Sequence, residues 1–226
     1  MKISKILIFL SLITLSSCNK VRTTSEDKKS VEEVQKFYGG YVETNKGIET
    51  FNASSNNYFE IIIKDSKLID KQPQRAISNA ANIAYIVFKN QNIENYDIIK
   101  TKIILPDGTN ISKSFTKTEL QEVKDIYPEL EKFNSYLINK NYKGIIDMFD
   151  SRFKPEDKIV YEGLSTIDSK LGEIKRIQFQ GFEFIDDSNL GHTILIRQVA
   201  ERNETFPFIN VVFNRNTKKL LNIEFP

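Results

Sequence analysis

Apolar positions recur along this chain with three different rhythms. The first is an unbroken run. Ile6 to Leu15 are apolar except for Ser11 and Thr14. At ~1.5 Å per residue, those ten positions make a helix ~15 Å long, half of a ~30 Å hydrocarbon core, so the run is too short to cross a bilayer. The second rhythm is helical. Val31, Val34, Phe37/Tyr38 and Tyr41 predict a helix opened by the capping box Ser30-Val31-Glu32-Glu33 and weakened at Gly39-Gly40. Pro73 opens another through about Phe88, with a stripe of Ala76, Ile77, Ala80, Ile83, Ala84 and Val87. Thr118-Glu119-Leu120-Gln121 reads as a further capping box, and Pro128 as the first residue of the next helix, which runs to about Asn139. Short helices over 142–150 and from Pro155 follow. The second has Val160, Leu164, Ile167 and Leu171 in one stripe and Gly172 at its C-terminal stop.

The third rhythm belongs to strands. Tyr58–Lys64 and Tyr96–Leu105 are rich in aromatic and β-branched residues, and Asn110–Thr116 returns after the turn Pro106-Asp107-Gly108-Thr109. Four more strand candidates lie at 173–185, 191–200, 205–214 and 220–225. The Asn-rich stretch Asn52–Asn57 reads as loop. The expected fold is therefore α+β. An N-terminal α-β-α-β-β part covers 30–117, a connecting helix 118–127, and a C-terminal part 128–226 with three helices followed by a four-stranded antiparallel sheet.

The apolar run gains meaning from its flanks. Lys2 and Lys5 precede it, and Leu15-Ser16-Ser17-Cys18 follows it. This arrangement resembles the lipobox signal peptide of bacterial lipoproteins. The resemblance implies removal of residues 1–17, palmitate-like acyl chains on Cys18, and a flexible tether over 18–29. It places the protein in the cell envelope, with the membrane as a partner through Cys18. Asn19 is not the aspartate of an inner-membrane retention signal, so the outer membrane is the expected destination. Each buried CH₂ contributes ~0.8 kcal/mol, so two or three chains hold the protein durably.

The order of helices and strands after residue 128 is similar to the cone-shaped nuclear transport factor 2-like fold, in a small uncharacterised bacterial branch. Phe133, Tyr136, Leu137, Tyr142-Lys143-Gly144-Ile145, Met148-Phe149 and Leu171-Gly172 carry this likeness. It implies a pocket between a curved sheet and its helices. Tyr142, Phe149, Phe153 and Tyr161 flank the junction between those helices; they read as plain core of a domain without Trp or, alternatively, as the lining of a ligand site.

Composition narrows the rest. The chain has 226 residues, one Cys and one His, which excludes an internal disulfide and a multi-histidine metal centre. Removing Lys2 and Lys5 with the leader takes the 32 basic side chains to 30, against 30 acidic ones. A neutral mature chain gives no support for nucleic-acid binding. No Gly-x-Gly, P-loop or Gly-x-Ser-x-Gly occurs, so no cofactor is expected and catalytic residues are not assigned. His192 follows Gly191 at a strand mouth. Asp147 and Asp150 share a helix face, and Asp186-Asp187 fits turn chemistry. The sequons at Asn52, Asn110 and Asn203 are chance matches in an Asn-rich chain.

These features point to a membrane-anchored, non-enzymatic binding module for an envelope protein or a small apolar ligand. Two alternatives stay open. One is a hydrolase or isomerase using Asp147, Asp150 or His192 as acid or base in the cone pocket. The other is a toxin-immunity lipoprotein.

Overall fold

The computed structural model describes residues 23–51, 54–91 and 95–226. Cys18 and the signal peptide lie outside them. The described chain runs α1 (Ser25–Tyr38), β1 (Tyr41–Phe51), β2 (Ser54–Lys64), α2 (Lys67–Asp70), a 3₁₀ turn (Pro73–Arg75) and α3 (Ala76–Asn90). It continues with β3 (Ile98–Ile104), β4 (Asn110–Thr116), α4 (Lys117–Ile138), α5 (Tyr142–Met148) and α6 (Asp157–Leu171). The last four elements are β5 (Arg176–Asp187), β6 (Gly191–Glu201), β7 (Phe208–Asn214) and β8 (Leu220–Glu224). The α+β class holds. Both sheets have four strands in sequential order, the first mixed and the second antiparallel throughout.

The mixed pairing follows from the connections. β1 and β2 are neighbours in sequence and pair antiparallel. α3 intervenes between β2 and β3, so they lie parallel, as a crossover helix requires. In the second sheet the register aligns Phe182 with Ile196, Ile196 with Val211 and Val211 with Ile223, which puts those four on one face. Gln178, Val199 and Phe208 are likewise paired and occupy the opposite face.

Several expectations need correction. β1 was not anticipated, so the N-terminal part carries one strand more, and part of the Asn-rich stretch read as loop belongs to β2. The capping box of α1 is Thr24 with Asp27, not Ser30 with Glu33, and residues 25–29 are helix rather than tether. Ser30 is buried, and its hydroxyl donates to the Glu26 carbonyl at 2.8 Å. α4 is one helix with Pro128 inside it, capped by Thr116 and Glu119 rather than by Thr118 and Gln121. Both of its halves bury apolar side chains, Leu120, Val123 and Ile126 before the proline and Leu130, Phe133 and Leu137 after it. That packing outweighs a penalty of about 3 kcal/mol for an interior proline.

α3 is the centre of the molecule. It packs on α1, β3 and β4 on one side and on β5 on the other. A helix between two sheets is buried nearly all round, and every residue from Ala76 to Phe88 is buried except Ile77. The one-sided stripe expected from sequence is thus too narrow. Polar Asn79 and Asn82 are inside, where the Asn82 amide donates to the Tyr38 hydroxyl at 2.7 Å. The close approach to β5 depends on Gly181. A Cβ there would sit 2.1 Å from the Ser78 carbonyl oxygen, at a φ of +132°. Described buried residues of both parts join in one apolar core.

Candidate functional site

α5 begins at Asn141, whose side chain accepts from the Gly144 amide at 2.9 Å. A Cβ at Gly144 would lie 2.8 Å from the Tyr136 ring and from the Asn141 side-chain amide, so a larger residue would force those side chains to shift. After Met148 the chain leaves the helix and touches β8. Phe149 bridges Leu220, and the Asp150 amide donates to the Leu220 carbonyl at 2.8 Å. A turn closed by the Phe153 amide on the Asp150 carbonyl, at 2.9 Å, leads through Pro155 into α6. Phe149 and Phe153 are thereby held below the space between α6 and β8.

α6 lies loosely on the molecule. Leu164 is its one buried residue among those described. Between its apolar stripe and β8 runs a groove of about 310 Å³. Phe149, Phe153, Val160 and Ile167 line it with Ile223 and Phe225, and Asn222 is the polar side chain in its wall. Ile159, 62% exposed, stands at its rim.

The four aromatics read as core or as ligand lining therefore divide. Phe149 and Phe153 do line the groove. Tyr142 and Tyr161 instead meet each other edge-on across α5 and α6, ring centroids 5.8 Å apart. The Tyr142 hydroxyl donates to Asp168, and burial, followed by this hydrogen bond, pushes it up to about 12. Asp168 also accepts from Arg202 at 2.7 Å, and Arg202 donates to the Gly172 carbonyl. With its residue only 1% exposed, Arg202 ties the end of α6 to the turn after β6. Tyr142 belongs to this structural knot.

The carboxylates and the histidine singled out in sequence are engaged at the surface. Asp147 is ion-paired with Lys143 at 3.1 Å and Lys154 at 3.5 Å. Asp150 takes a two-pronged bond from Arg152, which lowers its carboxyl to about 2. His192 Nδ1 lies 2.7 Å from Asp186 in the solvent-facing hairpin of β5 and β6. Asp187 accepts from the Asn189 and Leu190 amides at 2.7 and 2.9 Å, which is turn chemistry. None of these side chains lines the groove. Among the described residues no group of three or more His, Cys, Asp or Glu could hold a metal, and no helix is long and apolar enough to cross a membrane.

A second, larger cavity of about 680 Å³ opens on the opposite face of the C-terminal sheet. Phe37, Leu68 and Arg75 form one side of it, Gln178, Val199 and Phe208 the other. Sequence reasoning passed over Arg75. The available signal was its position, a cation immediately before an apolar helix, where the helix dipole disfavours positive charge.

No family model matches the chain, and no curated protein matches it. Among solved structures it is similar to Bd1075 of Bdellovibrio bacteriovorus, at 10% identity and a TM-score of 0.35. That likeness covers 83% of this chain and 76% of the other, and it is too slight to carry an argument about fold or function.

Proposed function

We propose that this chain is an envelope lipoprotein, held at the outer membrane by acyl chains on Cys18. Its folded part is a non-enzymatic binding module of nuclear transport factor 2-like design that takes a small apolar ligand between α6 and β8. The observation that carries this reading is the groove itself. It is apolar apart from Asn222, and its volume of about 310 Å³ falls at the lower end of the roughly 300–1,000 Å³ common for small-molecule sites. Burying an apolar ligand there costs little polar desolvation and gains about 25 cal/mol per Å² of apolar surface removed from water. The carboxylates and the histidine that an acid–base mechanism would use are held in ion pairs elsewhere, which favours binding over catalysis.

Gly163 provides the test. It lines the groove, and a Cβ there would meet no heavy atom within 4 Å. Gly163→Phe therefore fills the groove without displacing the core. The probe is N-phenyl-1-naphthylamine, an uncharged dye that brightens in apolar surroundings. The full chain is expected to bind it, and Gly163→Phe to bind at least about tenfold more weakly, a loss of 1.4 kcal/mol, with an unchanged circular dichroism spectrum. Equal binding by both proteins, or none by either, would refute the groove as the site.

A further inference from the structure

Among the described residues, Arg75 is the arginine without an anion. Arg152, Arg176, Arg197, Arg202 and Arg215 are ion-paired with Asp150, Glu201, Glu183, Asp168 and Glu122. Arg75 has neither a carboxylate nor a side-chain hydrogen bond among the described residues. Its guanidinium instead lies on the Phe208 ring, with Cζ 3.0 Å from the centroid. Contact of this kind holds a guanidinium over an aromatic face, and the N–H groups of Arg75 meet no protein acceptor among the described residues.

Two cavities meet at this side chain. One is the 680 Å³ cavity already described. The other, of about 290 Å³, is lined by Gln74, Arg75, Ile77, Ser78, Glu183 and Arg197. The charge around them is positive. Glu33 at the first cavity is ion-paired with Lys89, and Glu183 at the second holds Arg197. That leaves the charges of Arg75 and of Lys36, which also lines the first cavity. Burial, with the nearby Arg197 charge, pulls the Arg75 guanidinium below its ordinary value, so its surroundings are short of negative charge. The remaining walls are of two kinds. Gln72, Gln178 and Gln180 have amide side chains with no protein partner among the described residues. Phe37, Leu68, Val199 and Phe206 are apolar, and Phe206 is 61% exposed.

We infer that the Arg75 cavity is a binding site for a small amphipathic carboxylate, whose carboxyl takes the guanidinium fork while its amides meet the glutamines and its apolar body lies along Phe206, Phe208 and Leu68. One planar fork beside aromatic walls matches a two-oxygen carboxylate in shape and charge. The site lies on the sheet face opposite the α6–β8 groove and does not depend on it.

The test uses the full chain, isotope-labelled, with N-acetylphenylalanine as probe and its uncharged methylamide as the matched control. Nuclear magnetic resonance follows the Arg75 Nε–H and the Gln178 and Gln180 amide side chains. The acid is expected to shift these signals saturably and at least about tenfold more tightly than the amide, as a charge-assisted pair requires. Arg75→Met keeps the apolar stem and should bring the acid down to the amide's affinity. Arg75→Met gives up the contact of the guanidinium with Phe208 but no side-chain hydrogen bond or ion pair, so this variant should keep its fold, with an unchanged circular dichroism spectrum. Equal binding of acid and amide, or acid binding undiminished in Arg75→Met, would overturn the carboxylate assignment. Inorganic phosphate forms a third arm. If it shifts the same signals as tightly as the acid, the cavity is a simple anion site and the amphipathic assignment fails. Loss of N-phenyl-1-naphthylamine binding in Gly163→Phe bears on the other groove and leaves this result untouched.

Discussion

Asp27 shows how much one polar residue can hold. It is 1% exposed and ion-paired with Lys46. It also accepts from the Thr24 amide at 2.7 Å, from Gln91 at 3.0 Å and from the Tyr96 hydroxyl at 3.3 Å. Burial pushes its carboxyl up, but the bonds from Lys46, Thr24 and Gln91 outweigh that, and the net value is lowered. A lowered native value makes the stabilisation complete above the unfolded value of about 4, and it is lost as pH falls through the native value. Lys46 is raised despite its burial, chiefly by Asp27, so its contribution is complete below about 10.4 and is lost as pH rises through its native value. Asp27→Ala takes the buried carboxylate away from Lys46, Gln91, Tyr96 and the Thr24 amide at once and should cost about 3–5 kcal/mol in urea unfolding at pH 7. The same variant should lose less stability than wild type between pH 5 and 2. A cost below about 1 kcal/mol would mean that the pair behaves as a surface salt bridge. Sequence could not mark Asp27. It sits in Ser25-Glu26-Asp27-Lys28-Lys29, which reads as solvated, and its partner is on β1, a strand with no clear alternation.

Elements with strong local signals were legible. β4 lies at Asn110–Thr116 as its residues suggest, and Gly172 ends α6 at a φ of +78°. β1 was not legible, because Tyr-Val-Glu-Thr-Asn-Lys-Gly-Ile-Glu-Thr-Phe is the pattern of an edge strand. Tyr41 and Ile48 face solvent, while Lys46 and Glu49 pair with Asp27 and Lys100. Charged edges of this kind discourage further strand pairing, and they also hide the strand from hydrophobic periodicity. Gly181 gave no warning either, since a single glycine in a strand reads as a weak point. Its role is to let α3 reach β5. Gly181→Ala forces both a disfavoured φ and a clash with the Ser78 carbonyl, and should cost roughly 2–4 kcal/mol. Because α3 serves both sheets, chemical denaturation should show one transition moved to lower denaturant, by circular dichroism and by tyrosine fluorescence alike. Two separated transitions would show that the sheets unfold independently.

At the scale of the whole molecule, the described residues share one apolar core with a proposed binding site on each face of the C-terminal sheet, and the proposed place at a membrane rests on Cys18, outside the described residues. Cys18→Ala should move the protein from the membrane fraction to the soluble fraction on cell fractionation, and unchanged sedimentation with membranes would refute the anchor. The α+β class was readable from the chain alone because helical and strand periods follow one another in local order, and the proposed lipidation signal rests on local order too: charge, then an apolar run, then small residues and cysteine. The proposed binding surfaces were not readable in this way. Phe149 and Phe153 could be placed near the helix junction, but their separation from Tyr142 and Tyr161 depends on how α6 stands away from β8. Arg75 and Phe208 are 133 positions apart in sequence, and only the passage of α3 along the edge of β5 brings them together. Periodicity reports which side of an element is apolar. Whether a charge finds a counter-ion or an open cavity is decided by distant segments that share no local pattern with it.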